Sequence, residues 1–184
     1  MLIVLSGVSG SGKNTVIEEL KKRKNFKVFR SAVTRQMRPN EKKGEIYIFV
    51  TRGEFEDKIK NGELFEYELV HGEYRGILKS ELEKVQADKT SDYIRDIDVK
   101  GNQKLRKYFS KEDIFSIFLE VDDSELKKRL KNRGESDESI ALRLSRAPME
   151  RAHKKDYDLV IENNDLGKTV EAILRAIEKK KLSR

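Results

Sequence analysis

Leu2-Ile3-Val4-Leu5 runs through Ser6 straight into Gly7-Val8-Ser9-Gly10-Ser11-Gly12-Lys13, and behind it Val16, Ile17 and Leu20 recur at helical spacing. No other stretch constrains the fold as strongly. A short apolar run that ends in glycines is a buried parallel strand, and a strand passing through a tight loop into a helix opens an α/β fold. The alternation returns in the second half. Tyr93 to Val99 predicts a strand, followed by a helix to Tyr108. Ile114 to Val121 predicts a strand and Ser124 to Asn132 a helix. Arg133 to Ser139 reads as a polar loop, Ile140 to His153 as a helix, Leu159 to Ile161 as a strand and Leu166 to Lys181 as a terminal helix. Phe26 to Phe29 is one further strand candidate. Alternating β and α implies a parallel sheet with helices on both faces, a three-layer α/β/α arrangement. Pro148 falls inside a predicted helix, where it should kink or restart it.

The middle of the chain has another character. Pro39, Gly44, Gly53, Gly62, Gly72 and Gly76 punctuate it. Ile46-Tyr47-Ile48-Phe49 and Leu64-Phe65-Glu66-Tyr67 read as strands of a small antiparallel sheet, and Gly53 to Asn61 between them as a helix. This is an inserted, small mixed α+β lobe.

At 184 residues the chain is long enough for one globular domain with small lobes, burying roughly 70% of its unfolded surface without staples. It has no cysteine, which excludes disulfides and thiolate metal sites and fits a cytoplasmic protein. No basic segment precedes the first apolar run, and nothing approaches the ~20 apolar residues of a membrane span. Lys and Arg exceed Asp and Glu by 40 − 33 = 7, but the two signs are interleaved. The one dense run, Lys179-Lys180-Lys181, reads as a solvated helix end. A nucleic-acid binder would show a basic stripe with aromatic platforms, and there is none. His71 and His153, in the lobe and on a helix, read as structural.

Gly7-x-x-x-x-Gly12-Lys13 is the core of a P-loop, which makes the fold class that of a P-loop NTPase. The glycines let the backbone curl until several N–H groups face one phosphate, the following helix adds its positive pole, and Lys13 supplies a point charge for β- and γ-phosphates. Gly7, Ser9, Gly10, Ser11, Gly12, Lys13, Asn14 and Thr15 are the candidate nucleotide-binding residues. Asn14 stands where a hydroxyl is usual. An amide is a poorer partner for Mg²⁺, and Thr15 offers a hydroxyl one step on. The substitution implies that Mg²⁺ is held mainly by phosphates and waters. Two arginines three apart, Arg35 and Arg38, form a plausible clamp for a second phosphate.

Taken together these pieces resemble a guanylate kinase. The matching stretches are Gly7 to Lys13, Ser31 through Thr34-Arg35-x-x-Arg38-Pro39, Gly44-x-x-Tyr47-x-Phe49-Val50, Glu54-Phe55, Phe65-Glu66-Tyr67, His71-Gly-x-Tyr74-x-Gly76, Asp96-Ile97-Asp98-Val99-x-Gly101, Arg129-Leu-x-x-Arg133-Gly134, Arg143-Leu144 and Asp158-x-Val160-Ile161-x-Asn163. They keep the family's order from residue 2 to about residue 175.

The resemblance implies a P-loop core at 1–32 and 91–184, a lid at about 133–140, and a GMP-binding lobe at 33–90. It implies transfer of a phosphoryl group from ATP to GMP, giving ADP and GDP, with Mg²⁺ as cofactor. Ser31, Arg35, Arg38 and Tyr47 would hold the GMP phosphate, and Glu66 would accept from the N1 and N2 hydrogens of guanine. Asp98 would lie at the guanine and ribose side, with Asp96 toward Mg²⁺ through water. Arg129, Arg133 and Arg143, with Lys13 and Arg35, would stabilise the phosphoryl in flight, Arg133 from a mobile lid. Asn163 would meet adenine. The protein would act as a monomer or homodimer, with no nucleic-acid or membrane partner. Phosphoryl transfer asks for such charge clamps more than for acid–base groups, and closure would keep water from hydrolysing ATP.

Two positions depart from the family pattern. Tyr74-Arg75-Gly76-Ile77 puts Arg75 where a tyrosine helps hold the phosphate, and Ile77 where a hydroxyl contacts guanine. Arg75 can replace its predecessor with a charge-assisted bond, whereas Ile77 relaxes base selection. A same-fold kinase for another acceptor, such as ribose 1,5-bisphosphate, is the alternative that Ile77 favours and Glu66 opposes. A non-catalytic protein-binding module of the same fold would have no use for Lys13 or for the three arginines.

Overall fold

The computed structural model describes every residue except 38–40, 42–43, 71 and 184, so Arg38 and His71 lie outside the described residues. The chain forms two compact units, one of residues 1–26 and 94–184, the other of residues 27–93. In chain order the elements are β1 (Leu2–Gly7), α1 (Lys13–Arg23), β2 (Ser31–Val33), β3 (Tyr47–Phe49), α2 (Arg52–Lys60), β4 (Leu64–Val70), β5 (Glu73–Leu78) and α3 (Lys79–Ala87). Then come β6 (Tyr93–Asp96), α4 (Val99–Tyr108), β7 (Ile114–Glu120), α5 (Asp123–Asn132), α6 (Asp137–Arg151), β8 (Leu159–Glu162) and α7 (Leu166–Leu182).

The first unit is built on a four-stranded sheet in the order β6-β1-β7-β8. β1 lies parallel to β7, with Leu2 opposite Ile114 and Gly7 opposite Leu119, and β7 lies parallel to β8. Every residue of β1 and β7 is buried, as the unbroken apolar runs require of strands covered on both faces. Ile3, Leu5, Ile117 and Leu119 pack on one face with Val16 and Leu20 of α1 and Val170, Ile173 and Ile177 of α7. Phe118 points to the other face, against Val99 of α4, Leu126 and Leu130 of α5, and Ile140 and Ala147 of α6. This is the three-layer α/β/α core. Each such fully buried aliphatic side chain contributes roughly 1.5–3 kcal/mol.

Side chains start these helices where the sequence supplies them. Asp98 accepts from Gly101 N–H at 2.7 Å, Asp122 from Glu125 N–H at 2.9 Å and Asp165 from Lys168 N–H at 2.9 Å. Ser136 caps α6 through Ser139 N–H at 3.3 Å. The expected loop at 133–139 therefore ends at residue 136. Ser136-Asp137-Glu138-Ser139 is polar because it caps a helix and puts acids at its positive pole. α6 also runs on through Pro148 to Arg151 instead of restarting there. Arg151 fastens its end, donating to Glu120 Oε1 at 2.9 Å and to the Val121 carbonyl at 2.7 Å. His153 lies just past this helix, with Nδ1 3.2 Å from Asp156.

The second unit is a mixed sheet, order β3-β2-β5-β4, rather than the purely antiparallel one expected. β2 pairs parallel with β3 but antiparallel with β5, which pairs antiparallel with β4. α2 begins with a capping box at Thr51 and Glu54 and lays Phe55 and Ile59 on the face that carries Ala32, Ile48 and Leu78. Phe55 stacks on Tyr74, rings 4.9 Å apart. The strand expected at Phe26 to Phe29 reduces to one parallel bridge between Lys27 and Tyr93, joined by Lys27 N–H to the Asp92 carbonyl at 2.9 Å. Asp88 clasps the same place. Its carboxylate accepts from Lys27 Nζ at 2.7 Å, from Thr90 and Ser91 N–H at 3.0 Å each and from Tyr93 Oη at 3.1 Å. The Lys27 bond above all holds it well below the usual carboxylate range.

Candidate active site

In the first unit β1 delivers the chain into the glycine loop at the carboxyl end of the sheet. Gly7 cannot be another residue, because a Cβ there would lie 2.3 Å from the Leu119 carbonyl oxygen. Gly12 has φ +92°, the left-handed region, and a Cβ on it would meet Asn163 Nδ2 at 2.8 Å. Lys13 folds back over the loop, with Nζ donating to the carbonyls of Gly7 at 2.8 Å and Val8 at 3.2 Å. Burial lowers its pKa. Glu150 and Asp96 oppose that shift, while Arg133 and Arg143 add to it. Asn14 and Thr15 stand exposed on the first turn of α1. Ser11 is fully buried, and its Oγ has no hydrogen-bond partner among the described residues.

The loop is braced from outside. Asn163, 4% exposed, donates from Nδ2 to the Ser11 carbonyl at 2.7 Å. Arg129 donates to Glu125 at 2.9 Å, to the Asn163 carbonyl at 2.6 Å and to the Ser11 carbonyl at 3.4 Å. Asn163 and Arg129 thus hold loop backbone, a structural task the sequence did not announce. Arg143 Nη1 donates to Ser9 Oγ, and its Nε donates to Glu135 Oε2 at 2.6 Å. Glu150 accepts from Ser9 N–H at 3.2 Å. Arg133 is exposed at the end of α5. Asp98 spends one carboxylate oxygen on capping α4, and Asp96 is half-buried. Glu135 and Glu150 went unnoticed in the sequence, where isolated glutamates carry no signal.

In the second unit four strands bring four predicted residues into one line. Tyr47 stands opposite Ser31, Ser31 opposite Ile77, and Ile77 opposite Glu66. Partners in register share a sheet face, so Tyr47, Ser31, Ile77 and Glu66 form one transverse row. A bulge between Leu64 and Glu66 completes it, since without the extra residue Phe65 would face Ile77. Arg75 lies on the same face two residues along, opposite Val33 and Glu68. Gly76 does not belong there. It faces α2, between Ala32 and Tyr67, where a Cβ would come within 3.0 Å of Phe55 Cζ. That close approach explains why the residue is glycine. Arg35 lies over the Tyr47 ring at 4.8 Å and is forked by Glu41, Nη1 to Oε2 at 2.8 Å and Nη2 to Oε1 at 2.5 Å. The Glu41 bonds raise the Arg35 pKa.

A parallel α/β/α core whose first strand feeds a glycine loop and a backfolded lysine defines a P-loop nucleotide-binding protein. Comparison with known proteins narrows this. The guanylate kinase family model matches residues 1–180. The guanylate kinase of Clostridium tetani is 38% identical over 98% of this chain and 86% of its own length. That of Mycoplasmoides gallisepticum is 41% identical over 97% and 92%. The crystal structure of guanylate kinase from Anaplasma phagocytophilum superposes with a TM-score of 0.73 at 31% identity, covering 98% of this chain and 85% of that one. The chain belongs to the guanylate kinase family.

Proposed function

We infer that the protein transfers the γ-phosphoryl of ATP to the phosphate of GMP, giving ADP and GDP. The observation that carries this reading is an intact phosphate loop with Lys13 in place, in a chain that matches guanylate kinases from residue 1 to residue 180. ATP phosphates are held by the loop backbone from Gly7 to Thr15. Lys13, already desolvated, exchanges its two carbonyl partners for β- and γ-phosphate oxygens. A phosphate oxygen of GMP attacks the γ-phosphorus while the bond to the β,γ-bridging oxygen breaks and its electrons stay with ADP. Arg143 and Arg133 supply positive charge to the equatorial oxygens during this exchange. Arg129 and Asn163 act by holding the Ser11 carbonyl, so that the loop amides keep their aim.

GMP is held by the lobe. Arg35, exchanging its Glu41 fork for phosphate oxygens, takes the phosphate with Ser31 and Tyr47, and Arg38 and Arg75 add charge. Glu66 accepts two hydrogen bonds from the guanine edge, which alone among the common bases presents adjacent N1 and N2 hydrogens. Ile77, between Ser31 and Glu66, adds no polar contact, so base choice rests on Glu66. Asp98 completes the nucleoside side.

Mg²⁺ fits the residues present. Asp96 offers a half-buried carboxylate whose field reaches Lys13, and Thr15 offers an exposed hydroxyl on the first turn of α1. Mg²⁺ takes oxygen ligands and keeps several waters, so one carboxylate and the substrate phosphates are enough to hold it. When bound it neutralises phosphate charge.

The test is an ADP-release assay with ATP and Mg²⁺ and a panel of acceptors: GMP, dGMP, IMP, AMP, CMP, UMP and ribose 1,5-bisphosphate. Turnover concentrated on GMP and dGMP is expected. Turnover on ribose 1,5-bisphosphate alone, or on none, would overturn the reading.

A further inference from the structure

The stretch between α5 and α6 is a helix stop followed at once by a helix start. Arg133 ends α5, and Gly134 follows with φ +77°. Gly134 N–H donates to the Lys131 carbonyl at 2.9 Å and Glu135 N–H to the Leu130 carbonyl at 3.3 Å. That pair of bonds is a Schellman motif, which fixes the backbone of the residue after the glycine. Ser136 is already the cap of α6. Glu135 is thus pinned on both sides. Its carboxylate projects along α6, where residues four and eight further on lie one above the other on successive turns. It accepts there from Ser139 Oγ at 2.8 Å and from Arg143 Nε at 2.6 Å.

We propose that Glu135 is a positioning residue for phosphoryl transfer: it fixes the Arg143 guanidinium at the phosphate loop with its Nη edge presented. The geometry gives the sign of the effect. An arginine has five N–H donors in a planar fork. Glu135 takes the Nε hydrogen, and Ser9 Oγ takes one from Nη1. Among the described residues the second Nη1 hydrogen and both Nη2 hydrogens have no partner and stay available for phosphate oxygens. A carboxylate across the Nη1 and Nη2 tips would have blocked them; one on Nε leaves them open while removing the rotational freedom of a long side chain. Arginine carries large rotamer entropy, and a charge-assisted bond from a fixed backbone spends it before the nucleotide arrives. Ser139 holds the second bond to the same carboxylate, so Glu135 is itself oriented.

This inference rests on the reading of Arg143 as a phosphoryl-stabilising group. A double-mutant cycle of Glu135→Ala and Arg143→Ala in the full chain separates the two. Arg143→Ala is expected to lower kcat by about 10²–10³-fold. Glu135→Ala should lower it by about 10- to 100-fold, with KM for ATP and GMP within about twofold of the parent. The double variant should match Arg143→Ala alone, because a positioner has nothing to position once its arginine is gone. Glu135→Gln keeps the shape without the charge and should reproduce most of the loss even if the alanine variant folds poorly; thermal melting reports on folding in each case. A drop for Arg143→Ala with full or raised kcat for Glu135→Ala and Glu135→Gln overturns the inference and leaves the function standing. Fully additive losses also overturn it. An unaffected Arg143→Ala removes the reading beneath it.

Discussion

The residue with the most to decide is Glu66. It reaches the row of Tyr47, Ser31 and Ile77 only because β4 bulges by one residue just before it. With Ile77 apolar and 5% exposed, Glu66 is the one carboxylate of the row, and on the function proposed above it is the group that reads the base edge. Glu66→Gln replaces an acceptor-only carboxylate by an amide that sets N–H against N–H. We expect kcat/KM for GMP to fall by about 10²-fold or more while kcat/KM for AMP falls far less. Equal losses on both would show that Glu66 supports the lobe rather than reads the base. Residue identities on this row were legible in the sequence, but which face each would occupy was not. Gly76 is the instructive case, since a glycine next to candidate binding residues invites a ligand explanation, and only the strand register reveals Phe55 behind it.

At the scale of elements, the junction of β2 with α3 is held by one buried charge. Glu81 on α3 accepts from Arg30 N–H at 3.0 Å and from Arg30 Nη2 at 2.7 Å, immediately before β2 begins, and from Lys84 at 2.8 Å. Burial pushes its pKa up, but the Arg30 and Lys84 bonds outweigh that and bring it down to about 2. A carboxyl whose folded value is depressed stabilises the native state above its unfolded value of 4.5 and stops doing so as pH falls through about 2. Urea unfolding of the parent and Glu81→Gln should therefore differ by on the order of 2 kcal/mol at pH 6, with solvent on the Arg30 side allowed for, and converge toward pH 2. A constant difference across that range would rule out titration of this group as its source. Elements with one strong local signal were readable: the run of β7 and the spacing of α1. Misread elements carried two messages at once. The polar stretch after Arg133 fits both loop and helix start, and Phe26 and Phe29 are apolar because they are buried, while the stretch pairs only through the bridge at Lys27.

Across the whole molecule the two units have unequal cores. The first buries the continuous faces of β1 and β7 against five helices, whereas the lobe buries a shorter set, chiefly Phe29, Ala32, Val33, Phe55, Leu64, Ile77, Leu78, Leu82 and Val85. Local opening should be easier where fewer apolar side chains are buried. Native-state hydrogen exchange should find β2 to β5 amides opening at lower free energy than those of β1 and β7. A single opening energy for all of them would mean that the chain unfolds only as one block. The clasp at Lys27, Asp88 and Tyr93 bears on redesign as much as on motion. Because the lobe leaves and re-enters at paired positions, one strand spacing apart, the chain on either side is spared any long closure. Residues 27–93 are a cassette: an engineer can lengthen, trim or exchange this unit at two neighbouring points and leave the residues of the phosphate loop unchanged.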